Sequence, residues 1–173
     1  MNFKRKQEMK RIFETPSDIR KIVESQPDAN KIVYTYGVWD LLHPGHIKLL
    51  QRAKELGDFL IVGVVADAPV SKLKGKNRPV QKIHDRLYIV GSLRCVDAVL
   101  AQPEYDPSFE LQSIKRIDIL TKGDDWNIIP GSATVEKLGG QLIKLNYSTD
   151  YSTSKIVSKI SGKRQKISGE PQC

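Results

Sequence analysis

The run Phe59-Leu60-Ile61-Val62-Gly63-Val64-Val65 is apolar at every position and rich in β-branched residues. A strand with one wet face alternates apolar and polar side chains. A strand that is apolar throughout must be covered on both faces, the condition met by a parallel sheet between two layers of helices. The run ends at Ala66, far short of the ~20 residues that span a bilayer, so no membrane insertion is expected.

The segments around it keep the same rhythm. Thr15-Pro16-Ser17-Asp18 has the form of a helix start, with Thr15 as N-cap and Pro16 in the first turn, and Ile19, Ile22 and Val23 follow at helical spacing. From Lys31 the pattern becomes regular. Ile32–Tyr36 is a strand stopped by Gly37, and Ile47–Leu56 is an amphipathic helix closed by Gly57. After Phe59–Val65 the pattern gives a helix at 85–93, a strand at 96–101, a helix at 107–114 and a strand at 117–121. A helix at 132–138, a strand at 141–145 and a helix begun by Ser152 complete it. Strand and helix in alternation predict a doubly wound, Rossmann-like α/β fold with a parallel sheet of about five strands. The expected organisation is an N-terminal helical extension over 1–30, one domain over 31–160 and a basic tail over 161–173.

The net charge of +8 raises the question of a nucleic-acid partner. Residues 1–11 carry +4 and residues 159–173 carry +3, which leaves the remainder at +1. The body of the chain therefore has no basic face for a phosphate backbone, and no nucleic acid is expected as partner. Ile12-Phe13 is the one apolar pair near the start, so no secretory signal is expected. Cys95 and Cys173 form neither a disulfide framework nor a zinc pattern, which suggests a reducing, cytoplasmic setting.

Ligands of doubly wound sheets bind beyond the carboxyl ends of the strands. Four segments should meet there. The first contains Tyr36, Gly37, Val38, Asp40 and then His43-Pro44-Gly45-His46 at a helix start. Free N–H groups and two imidazoles at a helix start suit phosphate, although His43 as a cap and His46 as packing would suit the same positions. The second, Lys72 to Pro79, crowds Lys72, Lys74, Lys76 and Arg78 around Gly75. It is either a solvated loop or a cationic one that closes over a polyphosphate. The third is Lys122-Gly123-Asp124-Asp125-Trp126, whose carboxylates suit Mg²⁺, a base, a sugar or merely a turn. The fourth, Ser152-Thr153-Ser154-Lys155, is a second helix start facing the same rim, or an ordinary N-cap. Neither GxGxxG nor GxxxxGK[ST] is present.

Taken together, His43-Pro44-Gly45-His46 and Ser152-Thr153-Ser154-Lys155 at this separation resemble the two signatures of the cytidylyltransferase-like nucleotidyltransferases. The resemblance covers residues 31–160. It implies attack of a phosphorylated small molecule on the α-phosphorus of a nucleoside triphosphate, with release of pyrophosphate and no covalent enzyme intermediate. It also implies Mg²⁺ carried by the triphosphate and a homodimeric assembly. By the same resemblance His43, His46 and Lys74 are catalytic. Tyr36, Gly37, Val38, Gly45, Lys122, Gly123, Asp124, Asp125, Ser152, Thr153 and Ser154 bind the nucleotide. Asp40, Arg94 and Trp126 meet the acceptor.

Two branches of the family compete. Leu73-Lys74-Gly75-Lys76-Asn77-Arg78-Pro79, the run Gly131–Gly140 and Tyr151 resemble adenylyltransferases that activate heptose 1-phosphate. Tyr34–Gly37, Asp40–His43 and Gly123–Trp126 resemble glycerol 3-phosphate cytidylyltransferases. Tyr147-Ser148-Thr149-Asp150-Tyr151 stands where the latter carry an arginine-containing stretch, and Val38 replaces a small polar residue. The expected function is a sugar 1-phosphate adenylyltransferase of carbohydrate biosynthesis, with the CTP-dependent enzyme as the alternative. A non-catalytic nucleotide-binding module is the alternative from another class.

Overall fold

A computed structural model describes residues 12–124, 126–146 and 151–162. Strand β1 (Ile12–Phe13) leads into helix α1 (Pro16–Glu24), where the Thr15 hydroxyl accepts from Asp18 N. Strand β2 (Ile32–Gly37) is followed by α2 (Pro44–Glu55), and β3 (Phe59–Val65) by α3 (Asp67–Lys74) and α4 (Ile83–Gly91). Then come β4 (Ala98–Gln102), α5 (Ser108–Ile114), β5 (Ile119–Gly123), α6 (Ser132–Lys137), β6 (Gln141–Leu145) and α7 (Thr153–Ser161).

The six strands form one sheet in the order β1-β4-β3-β2-β5-β6, parallel at every junction. Buried residues of α1, α5 and α6 pack on the face that carries Tyr34, Tyr36 and Ile61. Those of α2 and α4 pack on the face that carries Val33, Leu60 and Val62. Period-two alternation in β2 and β3 thus feeds both layers. The strand order reverses direction at β2, which has β3 on one side and β5 on the other. The crevice between the carboxyl ends of β2 and β5 is the ligand-binding position of such a sheet.

The amino ends of the strands are closed by carboxylates. Asp58 accepts from Lys31 N, Asp118 from Ile32 N and Asp97 from Leu60 N, at 2.8, 2.7 and 2.7 Å. These side chains satisfy strand N–H groups that have no ladder partner.

Two elements differ from the sequence pattern. The sheet has a sixth strand because Ile12-Phe13 pairs with Val99-Leu100 at the edge, and two residues are too few to show a period. Lys72 and Lys74 belong to a helix, α3, instead of a loop. Val70 is its one buried residue, and a single apolar anchor gives no stripe to detect. Residues 1–11, 125, 147–150 and 163–173 lie outside the described residues, and with them the first basic tail and most of the second, whose first residue, Ser161, belongs to α7.

Gly63 matters for the core. A Cβ there would stand 2.4 Å from Gln102 Oε1 and 2.5 Å from Tyr34 Oη, the two atoms of a buried hydrogen bond 3.0 Å long. Gly63→Ala is expected to lower stability by roughly 1–3 kcal/mol, the usual cost of forced overpacking. Urea unfolding of the variant checks this, and an unchanged midpoint would show that the Tyr34–Gln102 pair has room to move.

Candidate active site

Helix α2 begins where β2 has just left the sheet, at the switch point. His43 is its N-cap, 4% exposed, and its Nδ1 accepts from His46 N at 3.4 Å. The two imidazoles stack with centroids 3.7 Å apart and 17° between planes. Trp39 meets the His46 ring edge-on at 5.4 Å and donates its indole N–H to Gly63 O at 3.0 Å. Gly45 permits this stack: a Cβ there would stand 3.1 Å from the His43 ring and 3.3 Å from Tyr151 Cβ. The cap and the packing role are both real, and they leave something over. His43 Nε2 and His46 Nδ1 are buried without a hydrogen-bond partner among the described residues. Because His43 Nδ1 is an acceptor, the neutral ring carries its proton on Nε2. A desolvated N–H donor therefore sits at a helix start with no acceptor among the described residues.

Burial keeps both rings neutral. Desolvation, followed by the neighbouring His43 and Lys74, pushes His46 down to about 3 from 6.5. Desolvation also lowers His43. Lys74 ends α3, the helix that follows β3 from this rim, and its charge acts on His46.

The start of α7 meets this rim. Ser152 is its N-cap, 6% exposed, and accepts from Lys155 N at 3.1 Å. The Thr153 hydroxyl donates to Asp40 O at 2.7 Å, and Ser154 Oγ accepts from Arg78 Nη2 at 3.5 Å. Tyr151 lies stacked toward His43 with centroids 6.4 Å apart. The two helix starts and the basic segment of the sequence pattern are thus neighbours.

Other expected site residues have structural duties. The Tyr36 phenol donates to Pro130 O at 3.0 Å, on the core face of the sheet. Gly37 makes room for the Trp39 ring, which would stand 3.0 Å from a Cβ. The Val38 side chain packs against the core and its carbonyl accepts from Arg86 Nη1 at 2.6 Å. Lys122 donates to Tyr36 O at 2.6 Å, with its ammonium 3.8 Å from the Tyr36 ring and 4.6 Å from the Trp126 ring. Gly123 ends β5, and Asp124 N donates to Leu145 O at 2.9 Å. Asp125 lies outside the described residues.

Arg94 is not brought to this rim. It precedes the amino end of β4, beside Asp97, whose carboxylate bonds Leu60 N and Lys54. Every strand is parallel, so the length of β4 separates Arg94 from the histidines, and within the described chain it is not brought together with the other expected site residues. Sequence reasoning missed Arg86. Its side chain is fully buried and donates to Gln81 O, Val38 O, Val65 O and Asp67 Oδ1. Its only signal was an arginine among the apolar positions of the helix.

The family model described as Cytidylyltransferase-like matches residues 34–159. Bifunctional protein HldE of Helicobacter pylori (strain ATCC 700392 / 26695) is 40% identical over 146 residues, which cover 82% of this chain and 30% of that protein. Bifunctional protein HldE of Salmonella paratyphi B (strain ATCC BAA-1250 / SPB7) is 38% identical over 88% of this chain and 32% of its own. The chain thus spans about 30% of the length of these curated relatives. Among solved structures, a lipopolysaccharide core biosynthesis protein from Thermoplasma volcanium GSS1 superposes with a TM-score of 0.57 at 29% identity, over 72% of this chain and all of that one. A pantoate-beta-alanine ligase from Francisella tularensis shares the fold, with a TM-score of 0.58 at 17% identity over 83% of this chain and 69% of that one.

The buried histidines make stability depend on pH. The unfolded chain protonates its imidazoles near 6.5, whereas His46 in the fold resists until about 3. Between these values the unfolded state binds more protons, so stability is full above 6.5 and falls as pH drops toward 3. The slope from one such group is at most ~1.4 kcal/mol per pH unit. The melting temperature is expected to fall from about pH 7 to about pH 5 more steeply in the parent than in His46→Asn. Equal slopes would mean that His46 reaches water.

Proposed function

The chain belongs to the cytidylyltransferase-like family, and from that premise we propose that it transfers a nucleotidyl group from a nucleoside triphosphate to a phosphorylated sugar. An oxygen of the acceptor phosphate attacks the α-phosphorus, the bond to the β-phosphate oxygen breaks, and pyrophosphate leaves. The observation that carries the proposal is the unpartnered His43 Nε2–H beside the unbonded His46 Nδ1. A buried donor left without a partner costs ~1–3 kcal/mol. A phosphate oxygen relieves that cost, and a donor already fixed in place stabilises charge as it develops. Lys74 supplies cationic charge, and the α7 start, through the Ser152 and Ser154 hydroxyls and the Thr153 backbone N–H, offers a second set of donors for the triphosphate. No side chain need act as nucleophile, since positioning and electrostatics suffice.

Adenylyl transfer to a sugar 1-phosphate of the heptose class is the favoured form. The Leu73–Pro79 and Gly131–Gly140 runs support it, as do the relatives called Bifunctional protein HldE and the lipopolysaccharide core biosynthesis protein. Cytidylyl transfer to glycerol 3-phosphate is the second form, favoured by Gly123–Trp126 with Trp126 held beside Lys122. Among the described residues no three His, Cys, Asp or Glu side chains cluster to hold an ion. In this proposal Mg²⁺ arrives on the triphosphate and neutralises its charge there. A cytoplasmic homodimer is the inferred setting. Among the described residues no helix is long and apolar enough to cross a membrane.

The test is pyrophosphate release from ATP, CTP, GTP and UTP, each with heptose 1-phosphate or glycerol 3-phosphate. ATP with the sugar phosphate is expected to win. A win for CTP would select the second form, and release from none would leave a binding module. His43→Ala and His46→Ala are each expected to cut turnover by ~10²–10³ with the fold retained, as for loss of one preorganised donor. Near-parental turnover in either variant would remove that histidine from the chemistry.

A further inference from the structure

The Asp40 carboxylate is fully engaged within the protein. It is 3% exposed; Oδ1 accepts from Gln81 N at 2.9 Å, and Oδ2 from Val80 N at 2.9 Å and Arg78 Nη1 at 3.2 Å. Its carbonyl accepts from the Thr153 hydroxyl. Gln81 returns a bond, its Oε1 accepting from Leu41 N at 2.8 Å. Arg78, held by Asp40 on one side, reaches Ser154 on the other. One residue between β2 and His43 therefore grips both the far end of the basic segment and the first turn of α7. The near end of that segment, residues 72–77, is exposed. Among the described residues, 78–81 are also held by Ser71 Oγ on Arg78 O at 2.6 Å, Gly75 O accepting from Arg78 N at 2.9 Å, Leu41 N on the Gln81 side chain, Arg86 Nε on Gln81 O at 3.0 Å and the Ser154 contact, but Asp40 is the one carboxylate in that set and takes three of the bonds.

Charge makes this grip worth having. A carboxylate that receives two backbone N–H groups and a guanidinium holds them more strongly than a neutral acceptor would. The segment carries Lys74, Lys76 and Arg78 close together, and such a segment would otherwise repel itself into solvent. We propose that Asp40 is a positioning residue, which tethers residues 75–81 and with them Lys74 and Arg78 over the triphosphate side of the site and does not touch the acceptor. The proposal rests on the transfer reaction above and changes the role expected of Asp40 from acceptor contact to scaffold. Arg78 gains a role as the link between the basic segment and the α7 start.

Limited trypsin digestion of the full chain reads the tether without any need for turnover. Cleavage after Lys72, Lys74 and Lys76 is expected to quicken about tenfold or more in Asp40→Asn, the effect of losing bonds to a charged group, while cleavage elsewhere holds. Arg78→Met removes the ion pair from the loop side. It should give the same acceleration, and it carries the test if Asp40→Asn does not fold. In steady-state kinetics KM for the triphosphate should rise about tenfold in both variants and KM for the acceptor should stay within about twofold. Unchanged cleavage in the segment overturns the proposal, and so does a rise confined to the acceptor KM. If cleavage quickens in a protein that releases pyrophosphate from no triphosphate, the tether stands and the transfer reaction is what fails.

Discussion

The parallel pairing of β2 with both β3 and β5 is the constraint from which the site follows. In a wholly parallel sheet every strand leaves at the same rim, so each connecting segment begins there. The loop to His43, the start of α3 and the turn after β5 share one edge for that reason alone, and the start of α7 meets them there. The opposite rim is sealed by Asp58, Asp97 and Asp118, which satisfy strand N–H groups. The protein thus has one closed edge and one functional edge, and the polarity of the backbone decides which is which. Arg94 is the clearest case. It was expected at the site by resemblance, but it precedes β4 at the closed edge, where Asp97 accepts from Leu60 N.

At the functional edge the ionic side chains are spent on backbone. Arg86 donates to three carbonyls as well as to Asp67, Asp40 accepts from two N–H groups as well as from Arg78, and Lys122 donates to Tyr36 O. Removing such groups from water is expensive, and an apolar replacement often stabilises as much. What an ionic group adds is geometry, because it holds several main-chain atoms from different segments at fixed directions. Here those segments are the turn after β2, the end of β3, the start of α3 and the chain leading into α4. Loops that carry function are ordinarily the mobile part of a fold. These are fixed by buried charge.

Much of this was legible in the sequence, for physical reasons that vary by residue. Phe59–Val65 declares its burial on both faces through composition alone, and Thr15-Pro16 and Ser152 mark helix starts through local chemistry. His43 and His46 were legible as a pair because the helix places them on one side of its first turn. What stayed hidden depends on contacts distant in sequence. Asp40 is joined to Gln81 across 41 residues and to Thr153 across 113. No local pattern tells a carboxylate that binds ligand from one that binds backbone. Arg86 was hidden in the same way, since charge at a helical position normally means solvent. Strand β1 and helix α3 were missed because each has too few apolar residues to form a period.

The histidine stack shows how folding and chemistry are joined at one place. Stacking at 3.7 Å opposes protonation of both rings at once, since two imidazolium ions at that distance would repel strongly, and desolvation disfavours even a single charge. Burial of the pair against Trp39 therefore selects neutral imidazoles, and the N-cap bond then selects the tautomer of His43. A neutral donor suits a triphosphate whose charge is already met by cations. In the proposed transfer such a donor would follow charge onto the leaving group without binding the ground state so tightly that the barrier grows. Gly45 is part of the same device, because a side chain there would press on the His43 ring and on Tyr151. The sequence His43-Pro44-Gly45-His46 is thus a single structural solution: a cap, a residue that needs no N–H, a residue without a side chain, and the ring that completes the stack.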